Sequence, residues 1–167
     1  MTLEEAIKTA IEYEIKVRDA YLNSLDSIKD ETGRHVFEVL GKEEQGHVDY
    51  LECKLDEWQK TGMLSSSDMD TVVPAKAAIE QGVSRLDAHA SATDFETERE
   101  MLKKALAMEQ ETSDFYRKIV GELDTGAELF NRFLEIEDGH VAIVQAELDY
   151  LNNTGRFFDF EEFNQEH

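Results

Sequence analysis

Glu44-Gln45-Gly46-His47-Val48 and Glu137-Asp138-Gly139-His140-Val141 are the two stretches on which the fold turns. Each is a Glu-x-x-His set inside an apolar stripe of helical period. Leu40 precedes Glu44 by four positions and Leu51 follows His47 by four; Phe133 and Val144 flank Glu137 and His140 in the same way. A single such motif carries little information in a chain with 38 acidic residues and five histidines, where it most often marks a solvated helix face. Two of them in one register carry more. Thr32-Gly33 through Trp58 aligns without gaps on Thr125-Gly126 through Leu151 and matches Phe37 with Phe130, Glu44 with Glu137, and His47 with His140.

The match extends upstream. Ala10, Glu14, Asp19 and Tyr21 align on Ala105, Glu109, Asp114 and Tyr116. Glu14 and Glu109 again interrupt apolar stripes, between Ala10 and Val17 and between Ala105 and Tyr116. The pattern predicts an internally duplicated αα-hairpin, in which every long helix turns a carboxylate inward. Residue 29 is the midpoint of 14 and 44, and 123 that of 109 and 137; both fall in turns. The four carboxylates therefore lie at one depth, roughly 22 Å from the bends at ~1.5 Å per residue.

The elements follow from this register. Helices are expected at about 2–28, 30–61, 95–121 and 125–152. Thr2 and Glu5 form a capping box, a turn lies near Asp26 to Asp30, and Gly62 is the stop of the second helix. Residues 62–94 form a long connection with a short helix that begins near Pro74, a residue suited to a first helical position. Gly46 and Gly139 would let helices approach closely. The tail, 155–167, is acidic, with Phe157, Phe158, Phe160 and Phe163 positioned to cover a bundle end or a dimer seam. Hairpin, long link, hairpin is the order of an all-α four-helix bundle with one crossover, a single domain over 1–167.

Composition narrows the function. The 167 residues carry 17 basic and 38 acidic side chains, a formal charge of −21, which disfavours nucleic acid and anionic membrane surfaces and favours cations. Cys53 is the only cysteine, so neither a disulfide nor a thiolate metal knot can form within the chain. No apolar run is long enough to span a bilayer, and the first residues lack the basic and apolar regions of a secretory leader, so a cytoplasmic address is expected. His35, His89 and His167 stand outside the pattern and are read as surface residues.

Four ionised carboxylates in a dry core cost several kcal/mol each unless something compensates them, and two divalent cations supply the opposite charge. A Glu from each of two helices plus Glu-x-x-His from the other two is an oxygen and nitrogen donor set suited to two iron or manganese ions. On these residues the chain resembles the ferritin-like superfamily, and within it the rubrerythrin-like proteins, over 2–61 and 95–152.

The resemblance implies that Glu44 and Glu137 bridge two iron ions, with manganese or a mixed pair as variants. Glu14 and Glu109 are then terminal ligands, and His47 and His140 take one ion each. It also implies that Tyr21 and Tyr116 donate hydrogen bonds to ligand carboxylates, although both equally suit amphipathic core positions. The implied activity is reduction of hydrogen peroxide or dioxygen in oxidative-stress defence by a homodimer. Two departures stand out. A rubredoxin module is absent, so electrons must come from a separate donor such as a rubredoxin. The extra glutamate expected one turn after Glu109 is Thr112 here, and Glu111 points elsewhere. Two other readings fit the same residues: ferritin-like iron oxidation and sequestration, and a metal-free helical interaction bundle.

Overall fold

Thr2 opens the first helix by accepting from the Glu5 amide at 3.1 Å, while Glu5 returns a carboxylate oxygen to the Thr2 amide at 2.8 Å. In a computed structural model describing residues 1–65, 69–86 and 95–164, this helix, α1, runs Leu3–Leu22. It stops well short of residue 28. The Ser24 hydroxyl donates to the Ala20 carbonyl at 2.6 Å, competing with the backbone ladder, and Leu25–Ser27 closes as one 3₁₀ turn before Ile28 becomes extended. Asp30 then caps α2 (Glu31–Thr61) by accepting from the Gly33 amide, and α2 ends at Gly62 with φ of 67°.

The crossover carries a short helix, α3 (Lys76–Ser84), capped by Ala75. Pro74 thus sits ahead of the cap, not at the first helical position; its carbonyl instead faces Gly139. The last two long helices are α4 (Glu96–Glu122) and α5 (Ala127–Thr154). His89 and His167 lie outside the described residues. No strand occurs among the described residues, so the chain is all-α, and none of their helices is long and apolar enough to cross a membrane.

Helix α1 packs along α2 and α4 along α5; the two pairs meet through α1 and α4, and α3 lies on α5 and the tail. The buried apolar residues form two clusters. One contains Val17, Tyr21, Phe37, Leu40, Leu102, Ala105, Val144 and Leu148, the other Ile7, Ala10, Leu51, Tyr116, Phe130 and Phe133. On every long helix the inward glutamate falls between a residue of one cluster and a residue of the other. The polar belt is therefore walled off from both ends of the molecule.

Two fold-backs use the same devices at aligned positions. Thr61 donates to the Glu57 carbonyl at 2.8 Å and accepts from the Met63 amide; Thr154 donates to the Tyr150 carbonyl at 2.7 Å and accepts from the Arg156 amide. Gly62 and Gly155 both turn left-handed, with φ of 67° and 72°. The returning chain is then tied to a buried charged residue of the helix it left. Lys54 donates to the Ser65 carbonyl at 2.6 Å, and Glu147 accepts from the Phe158 amide at 2.9 Å.

All four tail phenylalanines are buried within the chain itself. Phe157 lies over Gly33, where an added Cβ would come within 2.7 Å of the ring, and Phe163 stacks on Phe158 and covers Gly82. The expected role of Gly46 and Gly139 in close helix approach does not hold. A Cβ on Gly46 would meet nothing, and one on Gly139 would only touch Val73 and Pro74 of the crossover at 4.0 Å.

Candidate metal centre

Glu14, Glu44, His47, Glu109, Glu137 and His140 are all buried, and the belt brings them together at mid-length. His47 turns Nδ1 toward Glu14 at 3.5 Å, Glu44 at 3.4 Å and Glu137 at 3.4 Å. His140 turns Nδ1 toward Glu44 at 2.6 Å, Glu109 at 3.5 Å and Glu137 at 4.0 Å. Two groups of four result, each with its donor atoms within 4.8 Å of one another: Glu14, Glu44, His47 and Glu137, and Glu44, Glu109, Glu137 and His140. Glu44 and Glu137 belong to both. The two imidazoles lie side by side, with centroids 5.4 Å apart and planes 21° from parallel.

Tyr21 donates its hydroxyl to Glu109 Oε1 at 2.8 Å, and Tyr116 donates to Glu14 Oε1 at 2.7 Å. Each phenol serves the glutamate of the other helix pair. The second oxygens, Glu14 Oε2 and Glu109 Oε2, have no hydrogen-bond partner; neither do Glu44 Oε2, both oxygens of Glu137 and His47 Nδ1. Buried polar atoms are seldom left bare, and these six all belong to residues of the two four-residue groups. That donor set of carboxylate oxygens and imidazole nitrogens could hold metal ions.

The electrostatics describe a cage with more negative charge than it can hold alone. Burial, reinforced by Glu14 and Glu109, pushes the Glu44 carboxyl well above the usual range; burial and then Glu14, Glu44 and Glu109 do the same to Glu137. At Glu14 burial pushes up but is outweighed by the neighbouring Glu44 carboxyl and the charge of His47, which leave the carboxyl at about 2. At Glu109 burial is likewise outweighed, by His140, and the carboxyl lies below its ordinary value. Burial disfavours charge on the imidazoles, yet the facing carboxylates win. His47, facing Glu14 and Glu44, and His140, facing Glu109 and Glu44, both hold their protons well above the ordinary histidine range. Burial and the facing carboxylates raise both phenols.

Three charged residues stand outside the sequence expectations, one beside the cage and two farther along the helices. Glu43, nearly buried, accepts from His140 Nε2 at 2.8 Å and is itself held by the crossover through the Thr71 hydroxyl and the Val72 amide. Its aligned counterpart is Ile136, so the repeat that exposed the other ligands hid this one. Lys54 and Glu147, the two tethering residues, do carry a signal: both are charged, aligned and set within apolar stripes. Thr112 turns its hydroxyl back to the Met108 carbonyl and brings no carboxylate to the cage, while Glu111 is exposed beside Lys16 at 3.4 Å. His35 is exposed and pairs with Glu161 at 2.6 Å.

Compared with family models, curated proteins and solved structures, the chain matches none. Fold and site together define a class: an all-helical protein with a buried glutamate–histidine cage that could hold metal. The particular activity must be argued from the cage.

Proposed function

We propose that this chain is a rubrerythrin-like member of the ferritin-like superfamily, a four-helix bundle of two duplicated hairpins. In this reading it holds two iron ions and reduces hydrogen peroxide or dioxygen with electrons from a separate donor such as a rubredoxin. One observation carries the reading: Glu44 and Glu137 are common to two four-donor groups, each completed by one imidazole Nδ1 and one further glutamate. Four carboxylates match the charge of two divalent ions, and mixed oxygen and nitrogen ligation fits iron or manganese better than a thiolate-seeking metal.

A pair of ferrous ions bound there would supply two electrons and Lewis acidity toward an O–O bond. The chain supplies the remainder. Glu44 and Glu137 span both positions, and Glu14 Oε2 with His47 Nδ1 completes one donor set. Glu109, whose Oε1 lies 3.5 Å from His140 Nδ1, completes the other with that nitrogen. Tyr116 donates to the Glu14 oxygen opposite the one that faces His47, and Tyr21 donates to Glu109 Oε1, so each phenol holds a carboxylate of the cage in orientation. The apolar clusters at either end exclude bulk water from the cage.

The test is stopped-flow mixing of the ferrous-loaded protein with hydrogen peroxide. Oxidation well ahead of free ferrous ion is expected, with about two metal ions per chain in a small oligomer. A rate equal to that of free ferrous ion removes the activity. A large cage with many irons per chain replaces it with storage.

A further inference from the structure

The two imidazoles share their inner surroundings but not their outer ones. His140 Nε2 lies 2.8 Å from Glu43 Oε1, whereas His47 Nε2 is 3.9 Å from the same oxygen and has no hydrogen-bond partner. Glu43 is fixed in turn by the crossover. The Thr71 hydroxyl donates to its Oε1, the Val72 amide donates to its Oε2 at 3.2 Å, and the Val73 amide holds the Thr71 hydroxyl at 3.1 Å. The strand of chain doing this is itself pinned at both sides. Arg132 donates twice to the Met69 carbonyl, at 2.9 and 2.8 Å, and Asn164 donates to the Val72 carbonyl at 2.9 Å. At the position aligned with Glu43 the second half has Ile136, which is buried and cannot accept a hydrogen bond.

We infer that Glu43 is a positioning residue: by accepting the Nε2 hydrogen of His140 it keeps Nδ1 of that ring turned to the cage, and the crossover at 69–74 exists to hold Glu43 there. The inference rests on the two-ion reading above. An imidazole with Nε2–H committed to a carboxylate presents Nδ1 as a bare donor in a fixed orientation, and loss of such an outer partner typically weakens a metal site about 10–100-fold. The two ion positions are therefore inequivalent. Both glutamates have a phenol behind them, but only the imidazole of the Glu109–His140 position has an outer hydrogen-bond partner; that of the Glu14–His47 position has none. This also gives the long connection a task at the centre.

Glu43, His47 and His140 also present donor atoms within 4.8 Å of one another, so a third ion between the outer nitrogens is the rival arrangement. The 2.8 Å contact to His140 favours the hydrogen bond, and metal counting separates the two. The experiment is titration of the full chain with Co(II) against a competing chelator, for the wild type, Glu43→Ala, Glu43→Gln and Thr71→Val. Proton NMR of each loaded protein in H₂O and D₂O accompanies it.

The wild type is expected to take two ions. Glu43→Ala keeps one at wild-type affinity and weakens the other about 10–100-fold. Glu43→Gln, whose carbonyl still accepts, recovers most of the loss, and Thr71→Val falls between. The wild-type spectrum shows a slowly exchanging, hyperfine-shifted N–H proton that persists in Glu43→Gln and disappears in Glu43→Ala, a signature that loss of stability alone does not produce. Two ions bound equally well by Glu43→Ala overturn the inference while leaving the two-ion reading intact. Three ions in the wild type, with the third lost in Glu43→Ala, overturn it by making Glu43 a ligand. A wild type that binds no ion overturns both.

Discussion

The Tyr21 hydroxyl lies 2.8 Å from Oε1 of Glu109, and the two residues belong to different helix pairs. Tyr116 makes the reciprocal bond to Glu14 at 2.7 Å, so the phenols cross the seam between α1 and α4 in both directions. Glu14 and Glu109 thus each take a phenol from the other helix pair. Tyr21→Phe and Tyr116→Phe each leave a buried carboxylate oxygen without its donor, which costs about 1–3 kcal/mol. Urea denaturation of the metal-free protein is expected to show a loss of that size for both variants. Two neutral substitutions would remove the bonds from the account.

If two ions are held as proposed, the membership of Glu44 and Glu137 in both donor groups makes the metal count depend on which glutamate is removed. Glu44→Ala and Glu137→Ala are expected to lose both ions, because each carboxylate belongs to both donor groups. Glu14→Ala and Glu109→Ala should each retain about one. Elemental analysis after desalting reads this directly, and equal losses in all four variants would contradict the sharing.

Without metal, Glu44, Glu137, His47 and His140 all hold protons above their ordinary values. An ion entering the cage as proposed would displace protons, so its affinity is expected to rise with pH. Calorimetry in two buffers of different ionisation enthalpy should report proton release on loading. The same shifts act on folding. Groups raised in the folded state contribute stability that is complete below their unfolded values, near 4.5 for the glutamates and 6.5 for the histidines. That stability is lost as pH climbs through the folded values. The metal-free protein should therefore melt lower at pH 9 than at pH 7, and the loaded protein should not follow it.

Glu147 offers a separate titration, away from the cage. Burial pushes its carboxyl well above the usual range, Asp159 and Asp30 add to this, and the Phe158 amide opposes it. Its stabilising contribution is complete below about 4.5 and falls as pH rises through the folded value. Glu147→Gln keeps an acceptor for the Phe158 amide and removes the charge. It should raise the melting temperature at pH 8, by about 2–4 °C per kcal/mol gained, with the gain vanishing near pH 4.5. A gain that is the same at both pH values would show that ionisation is not involved.

The cage was legible because a charged residue inside an apolar stripe is a strong departure from period, and the aligned halves presented that departure twice. Glu14, Glu44, Glu109 and Glu137 needed no more than counting. What escaped depended on partners distant in sequence. Nothing in the spacing says that Tyr21 serves Glu109 while Tyr116 serves Glu14. Nothing local marks Glu43 either: its role comes from Thr71 and Val72 in a connection of weak periodicity, and the comparison with Ile136 points away from it. The first helix was drawn too long because Ile28 continues its stripe, whereas the Ser24 hydroxyl ends the ladder earlier. Thr61-Gly62 and Thr154-Gly155 were legible as a further matched pair, and they continue the alignment beyond Trp58 and Leu151.

The bond from Asn164 to the Val72 carbonyl has a practical side. Val72 reaches Glu43, and Glu43 reaches His140, so the end of the described chain is harnessed to a buried imidazole. Loss of that bond in Asn164→Ala is expected to loosen Val72 and, through Glu43, the seat of His140, and to broaden the spectroscopic lines of any metal ion bound beside that ring. A handle for purification therefore belongs before the exposed Met1, far in sequence from this chain of bonds.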